Sequence, residues 1–188
     1  EGTIAPLLEL GVGFHPDLTA KENIQFYSIL LGMKGRMKEE KIKQVLAFAE
    51  LAHVANLPLR ILSAGMQARL AFATAVYANP EILLVDEVLA VGDLRFQEKC
   101  LKVFERWKQE GKTIILVSHD MALISHFADQ VIVLHKGNMI GRGKPFPMIR
   151  KFMRILRTGN SQQGQLGVRD LSLIVQERDA YIAWLKGL

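Results

Sequence analysis

The chain has 188 residues and a mass of 21.1 kDa, enough for one ordinary domain or for one domain with an appendage. Its 49% hydrophobic content and mean hydropathy of +0.15 exclude a disordered chain, and aliphatic runs of about four residues are too short for the roughly 20 that cross a bilayer. The single cysteine, Cys100, excludes an internal disulfide and a cysteine-rich zinc site, which fits a reducing compartment.

The net charge of +5 is concentrated in one short segment. Six basic residues and no acidic residue lie between Arg142 and Arg157, and the rest of the chain carries 18 basic against 19 acidic side chains. Proteins that bind nucleic acid usually carry their basic stripe on the folded domain. The charge pattern therefore does not favour a nucleic acid partner.

The first part of the chain predicts a small helical unit, at about residues 17–78. Thr19 is a suitable cap for a helix that stops near Gly32. A second helix is predicted over Lys38 to Ala52, where apolar residues recur at helical spacing. A third is predicted to begin after Ser63 and to run to about Ala78.

The pattern changes near residue 80, where buried strands begin to alternate with helices. Continuous aliphatic runs are typical of strands buried on both faces of a parallel sheet, and they occur at Ile82–Val85, Thr113–Val117 and Val131–Leu134. An amphipathic helix spanning Phe96 to Trp107 separates the first two runs, and a short helix over Met121 to Phe127 separates the others. This alternation predicts an α/β core with a parallel sheet over about residues 80–143.

The tail, residues 144–188, is predicted to contain a basic linker and a C-terminal helix. Phe146 to Leu156 mixes basic and apolar residues in a helix-like pattern, which suits anionic lipid headgroups, a partner protein or plain solvent. From Asp170 onward, one helical stripe contains Leu171, Ile174, Val175, Ile182 and Leu185.

Two adjacent carboxylates, Asp86 and Glu87, follow the first buried strand. In open α/β sheets, ligands bind at the carboxyl ends of the strands. The first carboxylate suits a Mg²⁺ shell, and the second can orient and deprotonate an attacking water. The alternative is a loop with two solvated acids, which is common for a single Asp-Glu pair.

A second motif, Leu62-Ser63-Ala64-Gly65-Met66, stands where the third helix is predicted to begin. Ser63 would offer a hydroxyl and free backbone N–H groups with the positive end of the helix dipole behind them, which is a phosphate-binding arrangement. The alternative is an ordinary serine N-cap.

Two more residues allow two interpretations each. His119 comes just after a buried strand, where it could hydrogen-bond a γ-phosphate or the water that attacks it, although such a residue is more often a surface histidine. Asp93 follows Gly92 and could equally be the N-cap of the next helix.

The order and spacing of these motifs decide between the interpretations. An Asp-Glu pair 23 residues after Ser63, a Gly-Asp loop, and a histidine 32 residues after Glu87 resemble the nucleotide-binding subunit of ATP-binding-cassette (ABC) transporters, over about residues 3–143. The segments Leu7–Thr19, with Glu22-Asn23-Ile24, and Asp86–Asp93, with Phe96-Gln97, resemble the subfamily that exports polysaccharides such as lipopolysaccharide O-antigen and teichoic acid.

The resemblance implies a P-loop NTPase (RecA-like) core of the α/β class with an inserted helical subdomain, and it implies ATP and Mg²⁺ as ligands. Ser63, Ala64 and Gly65 would form the signature loop, which contacts the γ-phosphate of an ATP held by the other subunit of a homodimer. Asp93 would be the D-loop residue that links the two sites across that dimer.

The resemblance also implies the catalytic roles. Asp86 would support Mg²⁺ through water, Glu87 would act as general base, and His119 would be the switch histidine.

Three departures from the family pattern bear on activity. The signature reads Ser-Ala-Gly rather than Ser-Gly-Gly or Ser-Ser-Gly, and Glu9 or Leu10 stands near the position of the Q-loop glutamine. No segment fits the phosphate loop Gly-x4-Gly-Lys-Ser/Thr, since Gly143-Lys144 is followed by proline and lacks the upstream glycine. With Glu1 in place of an initiator methionine, we expect N-terminal truncation before the Q-loop region, with degeneration of the loop as the alternative.

The resemblance thus predicts an ATPase subunit that powers polysaccharide export through a separate membrane permease, bound to the cytoplasmic face of the membrane. The chain alone is expected to be inactive because the phosphate loop is missing. One alternative is a regulatory or structural partner that binds no nucleotide. Another is an ABC ATPase that works on DNA or ribosomes, against which the Leu10–Pro16 segment and the weakly charged body both argue.

Overall fold

The computed structural model describes residues 3–7, 13–33, 35–86 and 92–159, and the backbone of 171–176. The helices are α1 (Ala20–Leu30), α2 (Glu39–Ala49), α3 (Ala64–Ala78), α4 (Leu94–Gln109), α5 (Met121–Phe127) and α6 (Pro145–Gly159). The strands are β1 (Ile4–Leu7), β2 (Ile82–Asp86), β3 (Thr113–Ser118), β4 (Gln130–His135), β5 (Asn138–Gly143) and β6 (Leu171–Gln176). The chain forms two compact units, one of Glu1–Leu84 with Val88–Trp107 and one of Val85–Glu87 with Lys108–Leu188.

Two of the first three helices, α1 and α3, begin at the capping residues that the sequence indicates. Thr19 caps α1 in a capping box, because its hydroxyl accepts the N–H of Glu22 at 3.2 Å and the Glu22 carboxylate accepts the N–H of Thr19 at 2.8 Å. Ser63 caps α3, which ends at Ala78 as predicted. The second helix stops at Ala49 rather than Ala52, since Glu50 adopts a left-handed conformation with φ of 63°.

A buried asparagine organises the loop in front of α1. The Asn23 side chain is fully buried, and its Oδ1 accepts the N–H of His15 at 2.7 Å. Its Nδ2 donates to the carbonyl oxygens of His15, Leu18 and Thr19, each at 3.0 Å. A single side chain therefore satisfies four backbone groups and sets the path of the loop.

The fourth helix packs on α2 and α3 through aromatic side chains. The ring of Phe72 on α3 lies 6.1 Å from that of Phe96 and 6.3 Å from that of Phe104, while Phe48 on α2 lies 5.8 Å from Phe96. The sequence pattern assigns this helix to the α/β core, whereas in the structure its residues up to Trp107 belong to the first unit. The helix α4 belongs to the first unit because its aromatic side chains pack on residues of α2 and α3.

The only cysteine of the chain lies on the buried face of α4. Burial raises the pKa of the Cys100 thiol to about 12. The thiol is therefore protonated at neutral pH, which gives it a packing role rather than a reactive one.

The second unit is built on strands in the order β3-β6-β4-β5, each antiparallel to its neighbour. Alternate residues of β3 are buried, and so are Val131, Ile132 and Val133 in the middle of β4. Phe152 of α6 is buried as well, and α6 contacts both β4 and β5. The pairing of β4 with β5 shifts in register between Val133 and Leu134, so Ile140 of β5 has no partner residue on β4. The carbonyl oxygen of Ile140 instead accepts a hydrogen bond from Nζ of Lys151.

Two expectations about this unit are corrected. The predicted C-terminal helix is wrong at Leu171–Gln176, which forms β6; the rest of that stripe lies outside the described residues. The strands β3 and β4 run in the same direction, as predicted, but they are separated by β6, which runs opposite to both. Leu171–Gln176 forms a strand because it pairs with β3 on one side and with β4 on the other. Its backbone groups therefore find partners on both sides, which a short isolated helix would not give them.

The basic, apolar segment of the tail lies within α6. The guanidinium of Arg150 lies 6.0 Å from the ring centre of Phe146, which is 69% exposed. Within the described ranges, the helices fall short of the length and apolarity that a membrane crossing requires.

Candidate nucleotide-binding site

The signature loop forms the exposed N-terminus of a 15-residue helix. Ser63 precedes α3 with extended backbone angles, and its Oγ accepts the N–H of Met66 at 3.3 Å. Ser63, Ala64 and Gly65 are all exposed. The amides of the first turn have no carbonyl partner within the helix, so they and the helix dipole favour an anion at this end.

Hydrogen bonds to backbone carbonyl oxygens hold the loop that leads into Ser63. Nε2 of Gln67 donates to the carbonyl oxygens of Leu59 and Leu62, at 3.1 and 3.0 Å. The N–H of Leu59 donates to the Leu18 carbonyl at 2.9 Å, next to the loop set by Asn23. The signature serine is therefore presented by a fixed loop.

Gly65 fits a close approach by a ligand. A Cβ built at this position would meet no atom nearer than Ser63 Oγ at 4.0 Å, so packing within the chain does not require a glycine here. A small residue at a helix N-terminus allows phosphate oxygens to reach the backbone N–H groups. The donor set of hydroxyl and amides suits the phosphates of ATP.

Asp93 lies in the same unit as Ser63 and is held by two kinds of contact. Its Oδ1 accepts the N–H of Phe96 at 3.0 Å, and its Oδ2 lies 2.6 Å from Nη2 of Arg69. The hydrogen bond from Phe96 and the charge of Arg69 hold the pKa of the Asp93 carboxyl below its usual range. Asp93 caps the next helix, as one interpretation predicted, and it is also tied to α3, the helix that carries Ser63.

Gly92, the residue before Asp93, is required by the backbone. Its φ is +78°, and a Cβ there would lie 3.0 Å from Nε of Arg69 and 3.2 Å from Cβ of Phe96. Any other residue would be strained and would press against both side chains. The Gly-Asp pair thus brings the loop close to Arg69.

Asp86 and His119 belong to the second unit and follow strands, as predicted. Asp86 is the last residue of β2 and is exposed, and exposed His119 directly follows β3. The neighbouring Ser118 is buried, and its Oγ accepts the N–H of Asp120 at 3.0 Å. An exposed carboxylate at a strand end is the donor type that Mg²⁺ takes together with water. Glu87, the predicted general base, lies outside the described residues.

Sequence reasoning missed Arg69 and Glu50. Nη1 of Arg69 lies 3.3 Å from Oε2 of Glu50, and Lys99 pairs with the other carboxylate oxygen of Glu50. The one available signal is that Arg69 is the only charged residue of α3, most of whose other residues are apolar.

Comparisons with known proteins indicate the family that the chain resembles. Residues 6–90 match the family model described as ABC transporter. The O-antigen export system ATP-binding protein RfbB of Klebsiella pneumoniae is 42% identical over 131 residues, covering 70% of this chain and 53% of that protein. The teichoic acids export ATP-binding protein TagH of Listeria innocua is 34% identical, covering 83% of this chain and 47% of that protein. The chain therefore spans about half the length of these curated relatives.

Solved structures give the same result for the fold. An ATP-binding cassette, solved as a dimer in a post-hydrolysis state with ADP and phosphate bound, matches with a TM-score of 0.62 and 30% identity, covering 76% of this chain and 63% of that one. An ATP-binding subunit of an ABC transporter matches with a TM-score of 0.67 and 21% identity, covering 80% and 62%. Residues 6–90 therefore match the ABC transporter family, and the chain has the fold of the ABC ATPase cassettes.

Proposed function

We propose that the whole protein is the ATP-hydrolysing subunit of an exporter of polysaccharide, of the O-antigen or teichoic-acid type. The observation that carries the proposal is the fixed and exposed N-terminus of α3, where Ser63 and first-turn amides without a carbonyl partner in the helix can meet phosphate oxygens. The names of the relatives, which are ATP-binding proteins of O-antigen and teichoic acid export systems, support the choice of cargo.

The proposed site combines residues from two copies of the protein. Ser63, Ala64 and Gly65 bind the γ-phosphate of an ATP held by the other subunit. Asp86 would hold Mg²⁺ through water, and the ion would supply positive charge beside the phosphates. Glu87 accepts a proton from the attacking water, while His119 hydrogen-bonds the γ-phosphate or that water.

A homodimer and a membrane partner complete the proposal. A dimer solved for a related cassette supports the homodimer. A separate transmembrane permease would form the path for the polysaccharide, with this subunit bound at the cytoplasmic face of the membrane. The export-system relatives support this arrangement.

A second function is favoured by one observation on the sequence. The 188 residues contain no Gly-x4-Gly-Lys-Ser/Thr segment, which supplies the main phosphate contacts in P-loop ATPases. A subunit without this loop would act as a regulatory or structural partner. Its signature loop would contact a nucleotide that another subunit holds.

The 188-residue chain alone is expected to show no ATPase activity above buffer. It lacks both the phosphate loop and its lysine, so the signature loop cannot retain ATP by itself. Phosphate release by the purified chain checks this expectation, with the Glu87→Gln chain measured beside it. Hydrolysis that disappears in Glu87→Gln would show that the loop is dispensable.

Ser63→Asp in the whole protein is expected to abolish ATP-dependent dimerisation without lowering the stability of the fold. Aspartate caps a helix as well as serine does, whereas its negative charge repels the γ-phosphate. Ser63→Ala is the matched variant, since it loses the cap and about 1 kcal/mol of stability but adds no charge. Size exclusion with and without ATP measures dimerisation, and thermal unfolding measures stability.

Surface polysaccharide in a strain that carries Ser63→Asp tests the cargo. We expect the polysaccharide to be made and to stay inside the cell. Normal surface polysaccharide with a lost dimer would reject the export function. An intact ATP-dependent dimer in Ser63→Asp would leave Ser63 as an ordinary helix cap and remove it from the proposed site.

A further inference from the structure

Arg69 connects the signature helix to the loop that contains Asp93. It lies on α3, six residues after Ser63, and its side chain is 18% exposed. Nη2 lies 2.6 Å from Oδ2 of Asp93, and Nη1 lies 3.3 Å from Oε2 of Glu50. The guanidinium also lies 5.1 Å from the ring centre of Phe96. One side chain thus contacts three other parts of the first unit.

The contacts require an arginine rather than any cation. The guanidinium is planar and has donors on two sides, so it can bond two carboxylates and stack on a ring at the same time. A lysine at the same position is a single point charge and would have to choose between the two carboxylates. Gly92 makes room for this arrangement, because a Cβ there would be 3.0 Å from Nε of Arg69.

Glu50 holds Arg69 through Nη1, the terminal nitrogen that Asp93 does not contact. It lies at the end of α2, in the left-handed conformation that closes that helix. Lys99 of α4 pairs with its second carboxylate oxygen. We call Glu50, Arg69, Asp93 and Lys99 the Arg69 cluster; its two acids and two bases balance in charge, so no member is left without a counter-charge.

We propose that Arg69 is a positioning residue that holds the Asp93 loop at a fixed place relative to Ser63, so that engagement of ATP by the signature loop is transmitted to the loop that links the two sites. The inference rests on the proposed function, in which Ser63 and Asp93 serve different nucleotide sites of one dimer. It assigns roles to two residues that the motifs do not include: Arg69 positions Asp93, and Glu50 positions Arg69.

The first measurement is amide hydrogen exchange of the whole protein without nucleotide. The Phe96 amide reports the loop directly, since it donates to Oδ1 of Asp93. In Arg69→Met we expect this amide to exchange about tenfold faster, because the loop opens locally. Lys21→Met is the matched control, since it removes a base from an exposed pair, with Glu39, in the same unit. Unchanged exchange at Phe96 in Arg69→Met would overturn the inference.

The second measurement separates kcat from KM for ATP hydrolysis by the whole protein. We expect Arg69→Met to lower kcat by about 10- to 100-fold, as a misplaced catalytic geometry does, and to change the KM for ATP by less than about twofold. Arg69→Lys should recover only part of kcat. Asp93→Asn should share the kcat loss, and the double variant should be no worse than the worse single variant, because both act on one contact.

The outcomes distinguish this inference from the proposed function. Full kcat in Arg69→Met, full recovery in Arg69→Lys, or a kcat loss that Asp93→Asn does not share would each overturn the positioning role. If the unmodified whole protein hydrolyses no ATP, the proposed function is overturned instead. The exchange measurement needs no ATP, and it then decides alone whether Arg69 holds the loop.

Discussion

Glu87→Gln is expected to lower ATP turnover by the whole protein by ~10²–10⁴-fold, the usual effect of removing a general base, while ATP binding stays intact. The amide keeps the shape of the carboxylate but cannot accept the proton of the attacking water. The unhydrolysed ATP should then hold the two subunits together. Steady-state phosphate release measures the turnover, and size exclusion in the presence of ATP measures the dimer.

Glu98→Gln is the matched control for this variant. Glu98 is an exposed acid on α4 that belongs to none of the predicted site motifs, so its replacement removes the same charge without changing a proposed site residue. Its turnover should equal that of the unmodified protein. Undiminished turnover in Glu87→Gln would assign the general base to another group and leave Glu87 as one of two solvated acids.

Asn23→Ala is expected to lower the free energy of unfolding by about 2–4 kcal/mol, because several backbone groups lose their partner at once. The side chain is fully buried and bonds His15 twice and Leu18 and Thr19 once each. Asn23→Asp should be similarly destabilised, since a carboxylate would face three carbonyl oxygens that now accept hydrogen bonds. Urea unfolding gives the free energies.

Asn56→Ala supplies the comparison for Asn23→Ala. Asn56 is exposed in the same unit, and its loss should change the stability by no more than about 0.5 kcal/mol. Equal effects at the two positions would mean that water replaces the Asn23 side chain. The loop would then take its path from other contacts.

Local signals were sufficient for most of the elements. Thr19 and Ser63 cap helices where the sequence predicts them, because a cap depends only on the next three residues. The run at Ile82–Val85 forms a strand, as its continuous aliphatic residues indicate. The signature motif was found in the same way, since its residues are adjacent in the chain.

Distant contacts were not accessible to the same reasoning. Arg69 meets Glu50 and Asp93 across 19 and 24 residues of chain, and neither spacing has a sequence signature. The strand at Leu171–Gln176 was predicted as part of a helix because Leu171, Ile174 and Val175 fit a helical stripe that continues to Leu185. Only its pairing with β3 and β4 decides between helix and strand.

The irregularity in β5 affects how the second unit meets other chains. In this unit β5 is the last strand, and an end strand with regular unpaired backbone groups is a template for aggregation. Ile140 falls outside the regular ladder, and Lys151 of α6 occupies its carbonyl oxygen. The interrupted strand and the positive charge beside it make this edge a poor template for pairing with a strand from another chain.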